Sequence, residues 1–139
     1  MTSDTNTPDN RRVPGAGERM RRKVMGDVFV DRALAQADAF SAPLQDLVNN
    51  HAWGATWQRE GITLKQRSLC TVAMLAALGH HQEMKGHLRG ALNNGATLAE
   101  LREVLLHVGP YAGMPNAIAA FRVTQEWMKE QGLTFDDSP

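Results

Sequence analysis

The chain lacks the features that define several large classes of protein. One cysteine, Cys70, among 139 residues excludes an internal disulfide framework and suits a reducing cytoplasm. The balance of 15 basic and 15 acidic residues implies no broad positive surface and argues against a nucleic-acid partner. The longest central apolar run, at 72–78, is too short to cross a membrane, and no apolar segment follows the first charges as in a secretory signal. We therefore expect a cytoplasmic protein without a membrane or nucleic-acid partner.

The length allows one domain with short tails. Residues 1–12 have no periodic apolar positions, and residues 134–139 are typical of a solvated tail. The basic run at 19–23 is typical of the solvated face of a first, short helix. We expect a disordered N-terminal tail at 1–12, a folded domain at 13–133 and a C-terminal tail at 134–139.

Apolar residues recur at helical spacing along the whole domain, and no segment alternates as a strand would. Asp27, Pro43 and Thr63 are residue types that begin helices, and Asn94-Gly95 is a typical helix end. Thr97 and Glu100 have the spacing of a capping box. The sequence predicts an all-α domain of six or seven helices.

The predicted helix at 64–78 is apolar on nearly every side after Ser68. Such a helix is buried, either in the centre of the domain or between subunits. Cys70 lies on it, and we expect a buried, inert thiol. Trp53 and Trp57 are four residues apart and are more typical of core or interface packing than of a stacking platform for a ligand.

Three of the five histidines, His80, His81 and His87, fall close together with Glu83 on the next predicted helix. Glu83 and His87 are four residues apart and share a helix face, so the carboxylate can raise the basicity of the imidazole for proton transfer. The alternative is a surface pair that contributes little free energy. His80 and His81 stand at the amino end of the helix, which favours a bound anion.

The same residues offer ligand types for a metal, but their spacing matches no standard metal motif. We therefore expect no metal. Arg67 can grip a carboxylate through two parallel hydrogen bonds or pair with an acid across a helix contact. His107 and Tyr111, four residues apart, either line a pocket or fill a helix end.

Several motifs within residues 45–128 resemble the carboxymuconolactone decarboxylase family, part of a wider alkylhydroperoxidase D-like group. These motifs are W-G-x-x-W at 53–57, R-S-L at 67–69, E-x-x-x-H at 83–87, R-G-A-L-N-N-G at 89–95, E-V-L-L-H at 103–107 and Y-A-G-M-P at 111–115. In the alkylhydroperoxidase D branch two thiols stand at the positions of His80 and Glu83. Peroxidase chemistry is excluded here because it requires both thiols.

The resemblance implies an alkylhydroperoxidase D-like helical fold and a homo-oligomer, a trimer or a hexamer. It also implies a carboxy-lyase that decarboxylates a small lactone, 4-carboxymuconolactone, to the β-ketoadipate enol-lactone in protocatechuate catabolism. The electrons released by decarboxylation can enter the conjugated lactone, so no cofactor is expected. The alternatives are a hydrolase or isomerase of another lactone, and a non-catalytic helical oligomer.

We assign the predicted site residues to two roles. The catalytic residues are His87 as the proton donor, Glu83 as the group that orients it, and His80 at the amino end of the helix. The substrate-binding residues are Arg67 and His81 for the carboxylates, with Tyr111 and His107 for hydrogen bonds to the lactone.

Overall fold

A computed structural model describes residues 14–136. Helices joined by short connections make up most of this part of the chain, and it contains no strand. The seven α-helices and one π-helix are, in chain order, α1 Ala16–Met25, α2 Asp27–Ala35, α3 Ala42–Leu47, the π-helix Val48–Thr56, α4 Leu64–Leu78, α5 His81–Asn93, α6 Leu98–Ala112 and α7 Met114–Glu130. The prediction of an all-α domain is confirmed.

Two capping boxes fix the beginnings of the central helices. The Thr63 hydroxyl accepts a hydrogen bond from the Gln66 backbone N–H at 3.1 Å, and the Gln66 side chain accepts one from the Thr63 backbone. Thr97 and Glu100 exchange the same pair of bonds at the start of α6. These bonds satisfy N–H groups that have no partner inside the helix. Gly79, with a φ of 73°, then ends α4 in a left-handed conformation that suits glycine.

The helix predicted to begin at Pro43 differs from expectation in its type. Apolar spacing from Pro43 to Ala52 predicts a continuous α-helix, whereas the structure changes to a nine-residue π-helix after Leu47. In this wider helix the backbone bonds reach five residues back, as from Trp57 N to Ala52 O at 2.9 Å. π-Helical turns are rare and occur frequently at functional sites.

Two apolar clusters lie on opposite sides of α5. One fills the space between α4, α5, α6 and α7 around Met84, Leu88 and Leu105. The other joins α1 and α2 to the π-helix, and its members are Val24, Met25, Val30, Trp53 and Trp57. The contacts of α5 with both α1 and α4 place it between the two clusters.

Only one side of α4 is buried. Ser68, Val72 and Ala76 face the neighbouring helices, whereas Met74 and Leu78 are 62% and 68% exposed. Cys70 is also exposed, so the expectation of a buried thiol is wrong. The reason is that the other helices of this chain pack on one face of α4 and leave its second apolar face open.

The predicted disordered segment at 1–12 lies outside the described residues. At the other end, residues 134–136 have no regular secondary structure, and the Arg102 guanidinium lies 4.7 Å from the centre of the Phe135 ring. Within residues 14–136, no helix is long and apolar enough to cross a membrane.

Candidate active site

The imidazole of His87, on α5, stacks against two tryptophans of the π-helical segment. Its ring centre lies 6.0 Å from that of Trp53, with the planes 4° apart, and 6.3 Å from that of Trp57. The two indoles stack on each other at 4.6 Å. His87 Nδ1 is buried and has no hydrogen-bond partner among residues 14–136. An imidazole with a buried nitrogen is therefore held in an apolar slot.

The surroundings of His87 disfavour its charged form. Burial lowers the pKa of His87 from 6.5 to about 4, and the positive charge of Arg21 lowers it further. The negative charge of Glu83 acts in the opposite direction and is the weakest of the three influences. The imidazole is consequently neutral near pH 7, with one N–H to donate and one lone pair to accept a proton.

Arg21 is a buried charged side chain that acts on His87 and that the sequence pattern does not single out. It belongs to the basic run that predicts a solvated face, but only 7% of its surface is exposed. Its Nη1 donates to Gln45 Oε1 at 2.9 Å and to Asn49 Oδ1 at 3.2 Å. The signal that locates it is helical spacing, because Arg21 falls on the same face of α1 as Gly17 and Val24, which are both buried.

Two glycines bring α1 close to the π-helix. A Cβ added at Gly17 would overlap the backbone carbonyl oxygen of Asn49, and one added at Gly54 would lie 2.9 Å from the same oxygen. Only glycine at these two positions allows the backbones to approach so closely. Arg21 stands one helical turn after Gly17 on the same face of α1, so this contact brings its guanidinium to the π-helix, where it reaches Asn49.

Glu83 is exposed and makes no hydrogen bond to His87 Nδ1. It acts on His87 through its charge. His80 is the N-cap of α5 without a side-chain capping bond, and His81 begins the helix. Because an α-helix rises 1.5 Å per residue, these two histidines lie about 10 Å along the helix axis from His87.

Arg67 is partly committed to the main chain. Its Nη2 donates to the carbonyl oxygen of Arg59 at 2.9 Å, and its Nε is buried without a partner among residues 14–136. The structure therefore leaves a buried donor of this guanidinium unpaired, and it records no ion pair between Arg67 and an acid of the described part of the chain.

His107 and Tyr111 line a different part of the molecule. Their rings lie 4.9 Å apart on α6, and both border an apolar groove of about 670 Å³ between α4 and α6. Cys70 and Met74 line the same groove, and His87 does not. The structure thus places His87 in the slot and His107 and Tyr111 at this groove, and it brings Arg67, His80, His81 and Glu83 to neither.

The arrangement of acidic, histidine and cysteine side chains bears on metal binding. Over the range 14–136, no three of these side chains come together in a way that could hold a metal ion. His87 itself offers a neutral imidazole for proton transfer, with the positive charge of Arg21 acting on it.

Residues 42–126 match the sequence profile described as the carboxymuconolactone decarboxylase family. The chain belongs to this family. The matched segment contains the π-helix and α4 to α6, together with most of α7, and therefore includes the Trp53, Trp57 and His87 stack. It does not include α1, which carries Arg21.

Two curated relatives align with most of the chain. The chain is 41% identical to the nitrosuccinic acid decarboxylase of Metarhizium robertsii over 131 residues, which cover 94% of this chain and 92% of the relative. It is 39% identical to the 4-carboxymuconolactone decarboxylase of Acinetobacter baylyi over 117 residues, which cover 84% and 87%. The two names differ in substrate and agree in reaction, so they support a decarboxylase.

Proposed function

We propose that this protein decarboxylates a small acid whose departing carboxyl group is bonded to a carbon near an electron-accepting group, with 4-carboxymuconolactone as the substrate. The observation that carries the proposal is the neutral His87 imidazole, stacked against two indoles and influenced by the charge of the buried Arg21. It occurs in a chain that is 39% identical to a 4-carboxymuconolactone decarboxylase. The product would be the β-ketoadipate enol-lactone.

The reaction needs little from the protein beyond binding and one proton. Cleavage of the bond to the carboxylate releases CO₂ and leaves its electron pair on the substrate carbon. In the lactone that pair enters the conjugated system as a dienolate, so no pyridoxal or thiamine group is required to hold it. A proton then adds to carbon and completes the product, and one proton is consumed for each CO₂ released.

His87 is the proposed source of that proton. In the free protein it is neutral, because burial and Arg21 keep its pKa near 4. A bound substrate brings negative carboxylates beside it, and negative charge raises the pKa of an imidazole. The imidazole can then take a proton in the complex and pass it to the dienolate, with Glu83 assisting through its charge. His80 and His81 remain candidates for carboxylate contacts at the amino end of α5.

Nitrosuccinate is the second candidate substrate. The 41% identity to a nitrosuccinic acid decarboxylase, over 94% of the chain, favours it. Loss of CO₂ from the carbon that bears the nitro group leaves a nitronate, which must also be protonated. A lactone hydrolase, an isomerase or a non-catalytic oligomer has less support, because both relatives that align with most of the chain are named decarboxylases.

The test is to supply each substrate to the purified protein and measure CO₂ release, together with loss of ultraviolet absorbance for the lactone. We expect CO₂ in equal amount to substrate consumed, and a higher kcat/KM for the lactone. A higher kcat/KM for nitrosuccinate would make nitrosuccinate the proposed substrate, and the absence of CO₂ from either substrate would refute the proposal.

The proposed mechanism needs no metal, so activity should survive exhaustive chelation. Stoichiometric zinc or iron whose removal abolishes turnover would contradict this mechanism.

We further propose a homo-oligomer, a trimer or a pair of trimers. The support is the apolar groove between α4 and α6, which is bordered by Met74 and Tyr111, both largely exposed in the single chain. A second copy of the chain would cover this area.

We also propose a cytoplasmic location, which rests on the single cysteine, and a place in protocatechuate catabolism, which rests on the family.

A further inference from the structure

Two buried polar atoms, one on the π-helix and one on the ring stacked against it, have no hydrogen-bond partner among residues 14–136. They are Asn49 Nδ2 and His87 Nδ1. Buried polar groups are nearly always paired, because an unpaired one has lost its water and gained nothing in return. A set of unpaired polar atoms around one slot is the pattern expected where a polar ligand completes the hydrogen bonds.

Arg21 supplies a positive charge to the same place. Its two hydrogen bonds both start from Nη1 and end on neutral amide oxygens, those of Gln45 and Asn49. Its Nε and Nη2 donate to no residue of the described chain. The buried carboxylate on the same helix, Glu18, has an oxygen 3.5 Å from Arg22 Nη2. Its charge partly offsets the effect of burial, which lowers the pKa of Arg21.

The hydrogen bond from Arg21 to Asn49 also determines which way the Asn49 side-chain amide is turned. Since Asn49 Oδ1 accepts the hydrogen bond from Arg21, the amide nitrogen Nδ2 is the atom left over. The guanidinium of Arg21 and the side-chain amide of Asn49 therefore lie side by side. His87 stands close enough for the charge of Arg21 to act on it.

Building on the proposed function, we propose that Arg21 and Asn49 bind a carboxylate of the substrate beside His87. The planar guanidinium offers two parallel N–H groups to the two carboxylate oxygens, and Asn49 Nδ2 can donate a third hydrogen bond. The anion site is therefore supplied by α1, a helix that precedes the family-matched residues 42–126. Arg21 is a substrate-binding residue in this arrangement.

Binding can be measured without turnover. Succinate is an unreactive dicarboxylate that presents the same recognition group as both candidate substrates. Calorimetric titration of the wild-type protein should detect succinate binding. Binding to Arg21→Gln should be weaker by about 10- to 100-fold, since a hydrogen bond to a charged group is lost. The same substitution should raise KM for the substrate by a similar factor, and kcat should fall less.

Arg22→Gln is the matched control. Arg22 is the next residue on α1, and its guanidinium pairs with the exposed Asp27 and Asp31 at 3.1 and 2.8 Å and more distantly with Glu18 at 3.5 Å. Succinate affinity and KM should stay within about twofold of the parent, as is usual for a surface pair. Circular dichroism should show that each variant is folded. If Arg21→Gln does not fold, Arg21→Lys carries the test, because it keeps the charge and loses the paired donors; its succinate affinity should still fall.

Two results would overturn the proposal. One is a wild-type protein that does not bind succinate, and the other is a folded Arg21 variant with unchanged succinate affinity and KM. The outcome is separable from that of the proposed function. Arg21-dependent succinate binding without CO₂ release from either substrate would refute the decarboxylase and leave the anion site in place. CO₂ release with an unchanged KM in the Arg21 variants would support the decarboxylase and refute the anion site.

Discussion

His87 illustrates how the surroundings of a residue decide its chemistry. Spacing alone places it four residues after Glu83 on one helix face and predicts an imidazole made more basic by a carboxylate. The structure stacks the ring against the paired indoles of Trp53 and Trp57 and buries its Nδ1, and the positive charge of Arg21 acts on it. Both effects outweigh Glu83, so the pKa of His87 falls to about 4 where the spacing predicts a rise.

The low pKa of His87 makes a prediction about stability. The folded protein binds a proton at His87 only near pH 4, whereas an unfolded histidine binds it near 6.5. Between these values the unfolded chain holds more protons, so stability is lost as the pH falls. The contribution between pH 7 and pH 5 is at most about 2 kcal/mol. Chemical denaturation at both pH values measures it.

His87→Phe is the informative variant in that experiment. It keeps a flat ring against the indoles but cannot titrate, so its stability should change less between pH 7 and pH 5. His51→Gln alters an exposed histidine on the π-helix and should keep the parent pH dependence. An equal loss of stability in His87→Phe and in the parent protein would show that His87 is not the group responsible.

Glu83 should contribute less to catalysis than its spacing implies. It is exposed and does not hydrogen-bond to His87 Nδ1, so water screens its charge. We expect Glu83→Gln to lower kcat by less than about tenfold. The double variant with His87→Ala should be little worse than His87→Ala alone, because groups that serve one proton transfer are not additive. Steady-state kinetics of the three variants measures this. A loss of kcat in the double variant equal to the product of the two single losses would show that the two residues act independently.

Sequence reasoning locates some of the site and misses other parts for a physical reason. His87 stands out because titratable residues are concentrated around it. Arg21 does not, because a basic run looks solvated until the position of its helix is known. The expectation for Cys70 is wrong for the converse reason, since an apolar helix does not reveal which of its sides the same chain covers.

At the scale of elements, the helices themselves follow from the sequence and the π-helix does not. Capping boxes at Thr63 and Thr97 and the glycine end of α4 are local signals, and the structure has them where the sequence places them. The π-helix after Leu47 lies against α1 at Asn49 and Gly54, a contact between segments far apart in the sequence. The spacing of residues within one segment does not predict such a contact.

The contact between α1 and the π-helix yields a prediction. Gly17→Ala places a methyl group on the Asn49 carbonyl oxygen, and neither backbone can move without separating the two helices. We expect a loss of about 3 kcal/mol in the free energy of unfolding, at the upper end for an overpacked site. Turnover should fall as well, because Arg21 moves with α1.

Gly61→Ala is the control for Gly17→Ala, since an added Cβ there would meet no atom within 4 Å. Its unfolding free energy should remain close to that of the parent. Equal stability of Gly17→Ala and Gly61→Ala in urea denaturation would mean that α1 does not pack on the π-helix as described.

At the scale of the whole molecule, one face of α4 carries large apolar side chains that no other part of the described chain covers. Met74 and Leu78 are large apolar residues on that face, and both are mostly exposed. If a second copy covers the groove, Met74→Glu should convert the oligomer to smaller species by burying a charge at the interface. Light scattering of the variant and the parent at micromolar concentration measures this.

Ala35→Glu serves as the control for assembly, because Ala35 is exposed at the end of α2 and does not line the groove. It should keep the oligomeric state of the parent. A parent protein that is monomeric, or a Met74→Glu variant with unchanged size, would exclude this groove as the interface between subunits.

The most direct test of the account is the rate of CO₂ release by folded His87→Ala, on whichever of the two substrates the parent protein decarboxylates. His51→Ala is measured beside it as an exposed histidine outside the slot. We expect kcat to fall by about 10²- to 10⁴-fold in His87→Ala, the usual effect of removing a positioned acid or base, and to be unchanged in His51→Ala. CO₂ release at the parent rate by folded His87→Ala would contradict the account.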